Sequence, residues 1–405
     1  MVITGIGLVT ALGPDRPTTW AALCRGESGA GWLDPSTFGP GAAGFPALRS
    51  TPPLDGLDPA LDLLARASDE AMADARLLGD DRSYDPDRSA VLVGLSKGGV
   101  RNLAAVHRGT RSGDAGLGPE LGRLWLESWP GSGSAFVADR FGFRGAALGP
   151  VAACATGLVA VLQGGDLIRR GACDVALVGG ADASLEPLIL AAFRRMKVLA
   201  KVGDDPKRAV RPWDLGRSGF LVGEGGAVLV LERLDRARWR GAPLYAEVAG
   251  GALGSDAFHE TTPDPDPSGL ARLIRRALLD SGVGPAEVDA VHVHATATPG
   301  NDPLECRALR LAFGPEADRA VCSASKPQVG HLLGAAGSVE VALAALGVAS
   351  GLAPPTLNLE RPDPACDLRT VPEVAQPWAI RATLKLSLGF GGHLAAAVLK
   401  RVAPP

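Results

Sequence analysis

The sequence predicts an α/β fold built from two similar halves, 1–240 and 241–405. Short apolar runs of four to eight residues alternate with segments of helical period, the pattern of strands covered on both faces by helices. The same succession of segments occurs twice along the chain. The 405 residues, 46% of them hydrophobic, suffice for a large core. Abundant Gly and Ala suit closely packed layers.

In order, VITGIGLVTALG opens the chain as a buried strand ending at Gly5 and Gly7. SAVLVGL (89–95) is the next strand. RGAALGPVAACATG (144–157) reads as a strand running into a helix, and DVALVGGADAS (174–184) as a strand and turn. AVLVLER (227–233) closes the first half. The second half begins near LYAEVAGGALG (244–254) and continues with the helix SGLARLIRRALLDSG (268–282). Strands DAVHVHATAT (289–298) and AVCSAS (320–325) follow, then the helix SVEVALAALGVASG (338–351). ATLKLSLGFGG (382–392) and LAAAVLKR (394–401) are the last strands. SAVLVG parallels DAVHVH, the strand before Cys154 parallels AVCSAS, and GEGGAVLVLER parallels GFGGHLAAAVLKR. Two such halves packed together bring the Cys154 loop near loops of the second half. The Pro-, Gly- and Asp-rich stretch 34–60 reads as surface loop, and 203–219 as a polar connection packing near a site.

A net charge of −3 gives no bulk reason to bind nucleic acid or a membrane surface. No run reaches the roughly 18–20 uninterrupted apolar residues of a membrane span. The N-terminus lacks a basic region and a small-residue cleavage site, so a soluble cytoplasmic protein is expected. The cysteines at 24, 154, 173, 306, 322 and 366 have no CxxC spacing, and neither a metal site nor a disulfide framework is expected.

Cys154, in VAACATGLVAVLQGGDLI, stands where a strand turns into a helix. The helix N-terminal dipole there favours a thiolate, and a sharp turn leaves backbone N–H groups free for an oxyanion. By itself such a cysteine reads more simply as a small core residue, as the other five do. His294 lies in HATATPGNDPLE, before Thr296 and Thr298, and His331 in KPQVGHLLGAAG, after Lys326. Two imidazoles beside a thiol can accept its proton and donate hydrogen bonds to an enolate. On a strand, His292 and His294 would share a face.

Together these segments resemble the elongating β-ketoacyl-acyl-carrier-protein synthases of the thiolase-like superfamily. The resemblance runs from VITGIGLVTALG through AACATG, RPWDLGRSGFLVGEGGAVLVLE, SDAFHETTPDPD, HATATPGNDPLE and SKPQVGHLLGAAGSVE to SLGFGGH. It implies a five-layered αβαβα fold and a homodimer. The implied substrates are acyl and malonyl thioesters on the phosphopantetheine arm of an acyl carrier protein, with no metal or redox cofactor. Cys154 would take the acyl chain as a thioester. His331 would tune the thiol and, with His294, hold the malonyl carbonyl as CO2 leaves. Lys326 and Glu340 would hold the charge and hydrogen-bond network. The N–H groups of Cys154 and Phe390 would form the oxyanion hole, with Phe390 also gating the acyl chain. Thr296, Thr298, Gly391 and Gly392 would bind substrate. The paired histidines point to elongating members; initiating ones carry Asn at the second position.

The chain departs from the family in several places. HATAT replaces the commoner HGTGT, placing methyls of Ala295 and Ala297 near the tunnel. Leu394 stands for a frequent Asn after GFGG. Gly300-Asn301-Asp302 is similar to the aromatic polyketide synthases, so fatty-acid and polyketide elongation both stay open. The region after about 55, usually basic, is acidic with only Arg66 and Arg76, leaving Arg194, Arg195, Lys197, Lys201, Lys207 and Arg208 as an alternative carrier surface. Within 116–136, Trp125 and Trp129 read as core or dimer-interface aromatics rather than pocket residues. Two further readings are a chain-length partner subunit, which typically lacks the active cysteine, and a degradative thiolase, which needs a second cysteine near the C-terminus. Cys154 with both histidines opposes the first, and GFGGHL opposes the second.

Overall fold

The computed structural model describes residues 1–48, 57–79, 84–112 and 120–403. The stretches 49–56 and 116–119, parts of the expected surface loop and of the unusual tryptophan segment, lie outside the described residues.

Ten strands form the main sheet: β1 (Val2–Val9), β2 (Ser89–Gly94), β3 (Ala147–Leu148), β4 (Val175–Asp182), β5 (Gly225–Glu232), β6 (Ala246–Ser255), β7 (Ala290–His292), β8 (Val321–Ser323), β9 (Ala382–Gly389) and β10 (His393–Lys400). Their spatial order is β8-β7-β9-β10-β6-β1-β5-β4-β2-β3. Counted outward from the seam, the first half runs β1, β5, β4, β2, β3 and the second β6, β10, β9, β7, β8, which is the same topology twice. The seam is narrow, with only Val2 and Ile3 pairing Glu247 and Ala246.

Helices α2 (Thr156–Arg169) and α5 (Ala336–Ser350) pack on each other and on strands of both halves. Helix α1 (Pro59–Asp74) covers the outer face of the first half, and α3 (Ser268–Ser281) with α4 (Asn301–Phe313) that of the second. The layers are therefore αβαβα, as the resemblance implies. The α2–α5 crossing depends on missing side chains. A Cβ on Gly157 would come within 2.5 Å of the Ser338 nitrogen, and one on Gly337 would collide with the Leu158 nitrogen. The stretch Leu333–Ser350 is long and apolar enough to cross a membrane by length and composition, but it is 89% buried inside the protein and carries Glu340. It is the central helix of the core.

Several local expectations change. β1 does not end at Gly5 and Gly7 but runs through both to Val9. A Cβ at either glycine would strike backbone carbonyls of α1, so these residues admit the helix rather than stop the strand. The acidic run of α1 is also partly explained. Asp74 accepts from the Ile6 N–H at 2.9 Å and Glu70 from the Leu8 N–H at 2.8 Å, satisfying donors of β1. β7 stops at His292, so His294 lies in a loop rather than on the same strand. The strand expected before Cys154 is only the two-residue β3. Trp125 and Trp129 make an edge-to-face pair with centroids 6.4 Å apart but are about half exposed, so they are not core residues.

Candidate active site

Cys154 sits in a single 3₁₀ turn, Ala153–Ala155, that leads into α2. Ala153 has φ +46°, the left-handed region that alanine rarely adopts, and this bend turns the thiol inward. The Thr156 hydroxyl accepts from the Ala152 N–H at 2.9 Å and ties the turn closed. The sulfur is met from the other half. His331 Nε2 lies 3.2 Å from Sγ, and the Phe390 N–H is directed at the same side chain. Gly389, the last residue of β9 and paired with His393, makes this approach possible: a Cβ there would fall 2.5 Å from the Ala152 carbonyl and 3.2 Å from the Cys154 nitrogen.

The His294 and His331 rings are 5.4 Å apart, nearly perpendicular, and Phe220 stands edge-on to His331 at 4.7 Å. Phe220 closes the 203–219 connection, whose Gly219 N–H donates to the Ala297 carbonyl at 2.8 Å, so that segment does pack at the site. Both histidines are buried, and their Nδ1 atoms have no hydrogen-bond partner among the described residues. Burial, with Lys326 adding to it, holds both pKa values well below the usual range, so both imidazoles are neutral. The thiol departs from the dipole expectation. Burial pushes Cys154 up to about 11, against the pull of Lys97, Lys326 and the Phe390 N–H. The resting pair is thus a thiol beside a neutral imidazole.

A cavity of about 200 Å³ opens onto these groups. Cys154, His294, Thr296, Thr298, His331, Phe390 and Gly392 line it, with Leu388, Leu394 and part of 256–263. The Thr296 and Thr298 hydroxyls are 3.0 Å apart. Gly391 is not on the wall; at φ +83° its N–H donates to the Glu260 carbonyl at 2.7 Å and pins the turn. Ala295 and Ala297 are fully buried and face the core, so the expected methyls near the tunnel are not there. Both have positive φ, which alternates the loop so that only the threonines face inward.

Lys326 and Glu340 lie behind the histidines rather than on the cavity wall. Lys326 Nζ donates to the His294 carbonyl and to Glu340 at 2.7 Å. Lys385, on β9, reaches the other Glu340 oxygen at 2.8 Å. Burial would raise the Glu340 pKa, but the two ammonium groups hold it down at about 2. Sequence reasoning missed Lys385, whose signal was a lone cation in the apolar run ATLKLSL. It also missed Glu305, whose carboxylate accepts from the N–H groups of His294 and Ala295, each at 2.7 Å, and so fixes the histidine loop. Asn301 supports Glu305 at 2.7 Å.

Comparison with known proteins agrees with this arrangement. Residues 1–237 match the family described as Beta-ketoacyl synthase, N-terminal domain, and residues 245–360 its C-terminal domain. The 3-oxoacyl-[acyl-carrier-protein] synthase 2 of Coxiella burnetii is 36% identical over 99% of this chain and 98% of its own. Among solved structures, a type II PKS acyl-carrier protein in complex with its ketosynthase aligns with TM-score 0.90 at 29% identity, covering 99% of both chains. The ishigamide ketosynthase/chain length factor aligns with TM-score 0.89 at 33% identity, again over 99% of both. A doubled αβαβα fold with a thiol from one half meeting two histidines from the other, matched over both family domains, means that the chain belongs to the β-ketoacyl synthase family.

Proposed function

We propose that this protein is an elongating β-ketoacyl-acyl-carrier-protein synthase, with the catalytic halves divided as 1–240 and 241–405. The observation that carries the reading is the 3.2 Å approach of His331 Nε2 to Cys154 Sγ with His294 beside it. Cys154 attacks the acyl thioester as His331 takes its proton, and His331 returns that proton to the departing carrier thiolate, which leaves as the thiol. The oxyanion is met by the N–H groups of Cys154 and Phe390. A malonyl thioester then enters past Thr296 and Thr298. Its carbonyl accepts hydrogen bonds from neutral His294 and His331 as CO2 departs. The resulting enolate attacks the acyl group, and Cys154 leaves as a thiolate that takes one proton from solvent, neutralising the charge carried in by the malonyl carboxylate. Phosphopantetheine arrives with the substrate, and the scheme uses no resident metal or redox group. Lys326, Glu340 and Lys385 set the potential behind the histidines.

Arg194, Arg195, Lys197 and Lys201 are exposed beside Val198, which lines the cavity, and this is the surface proposed to meet an acidic carrier. A homodimer is proposed through β3, whose outer edge pairs with no strand among the described residues and whose surroundings expose Leu148, Val151, Trp125, Leu126 and Trp129. A second reading, a polyketide-type ketosynthase, is favoured by the likeness to the two ketosynthase structures. The test is incubation with malonyl-carrier and a panel of acyl-carriers, with products read by mass. A single acyl adduct on the Cys154 peptide and a β-ketoacyl product extended by two carbons are expected. An adduct elsewhere, or decarboxylation without condensation, would overturn the reading, and the accepted chains separate its two versions.

A further inference from the structure

Lys97 follows β2 in the first half, at the carboxyl end of a parallel strand. Its ammonium lies 3.0 Å from Asp182 at the end of β4 and 2.6 Å from the Ser96 hydroxyl. Asp182 is buried, and the same oxygen accepts from the Gly334 N–H at 3.2 Å. Gly334 stands three residues after His331, in the turn Leu333–Ala335 that packs on the turn of Cys154. A Cβ on Gly334 would fall 2.7 Å from the Ser96 Cβ, so the Lys97 turn is seated directly against the His331 turn. A cation in the first half is thus linked by one carboxylate to the backbone that carries the second half's histidine. It mirrors Lys326, which reaches the site from the second half.

We propose that Lys97 is a positioning residue for the Cys154–His331 pair, supplying a positive charge and, through Asp182, holding the turn after His331. The inference rests on Cys154 being the nucleophile. Lys97 does not line the cavity, so it acts through the pair and not on substrate. The charges facing Cys154 are Lys97 and Lys326, which favour the thiolate, and Asp182, which opposes it, with the Phe390 N–H also favouring it. His331 feels Lys326, Glu340, Lys97 and Lys385. Near such a balance, removal of one cation moves the thiol measurably.

The experiment is the rate of Cys154 alkylation by iodoacetamide against pH in the full-length protein, followed by peptide mass, with Cys154→Ala as the labelling control. Lys97→Met is expected to lower the rate at fixed pH about three- to tenfold and to move the profile to higher pH by the corresponding half to one unit. Lys97→Arg keeps the parental profile, and Asp182→Asn moves it to lower pH. A Lys97→Met profile that coincides with the parent overturns the proposal, as does a loss that Lys97→Arg fails to restore. If Lys97→Met does not fold, the Lys97→Arg and Asp182→Asn profiles decide, and an Asp182→Asn shift to higher pH overturns it. If the parent and Cys154→Ala label alike, the nucleophile assignment itself fails.

Discussion

His331 Nε2 and Cys154 Sγ lie 3.2 Å apart although they come from different halves of the chain. Because burial keeps the thiol protonated and the imidazole neutral, the pair begins uncharged, and the proposed acylation includes a proton transfer between them. Replacing His331 with Ala removes the acceptor. Acylation of Cys154, timed by mass spectrometry, is expected to slow about 10²–10⁴-fold. Unchanged acylation would assign the proton to another group.

Protonation ties stability to pH. His292 is held down to about 3 by burial, and His294 and His331 are also well below their ordinary value. The unfolded chain therefore binds protons that the folded chain refuses as pH drops below about 6.5. Stability from these groups is present above that pH and declines below it, by about 1.4 kcal/mol per pH unit for each histidine. Denaturant unfolding followed from pH 7.5 to 5 should show a falling midpoint. A flat midpoint would mean that the rings are hydrated.

Glu340 joins two buried ammonium groups, and removing it is asymmetric with removing one of them. Glu340→Gln leaves Lys326 and Lys385 facing each other without a counter-charge, at a cost of about 3–5 kcal/mol. Lys385→Met leaves a one-to-one pair and should cost less. Urea unfolding of the two variants gives the ranking, and equal losses would place the charge elsewhere.

The α2–α5 crossing allows no new atom at Gly157. Gly157→Ala is expected to destabilise by about 1–3 kcal/mol and to slow Cys154 acylation, because the thiol lies in the turn that starts α2. Thermal unfolding and adduct formation measured on the same sample check this. Loss of stability with acylation intact would uncouple the helix from the site.

The strands, the repeat and the cysteine–histidine set were legible because they are local patterns: apolar runs, a recurring order, and chemically unusual residues in Gly/Thr loops. Partners set by packing were not. Lys385 looks like a misplaced cation until β9 lies beside α5, and Glu305 like a surface helix residue until α4 turns it under the His294 loop. Gly5 and Gly7 look like strand ends in the sequence because a glycine there does not say whether it breaks a strand or makes room for a helix. The sequence alone places the Ala295 and Ala297 methyls at the tunnel, because only the backbone angles, positive at both, reveal which side of the loop faces it.

The meeting of the two halves has a consequence in time. Cys154 is made early, and the groups that meet it from the second half, His294, His331 and Phe390, are made late. Its nearest backbone donor stands at the turn between the last two strands, β9 and β10, whose register is complete only when the C-terminal residues have emerged. A ribosome-bound or truncated chain therefore carries this thiol without His331 or the Phe390 N–H beside it. On the proposed mechanism, acyl groups load only once β9 and β10 have paired and brought the Phe390 N–H to Cys154, so an incomplete chain does not consume carrier-bound substrate.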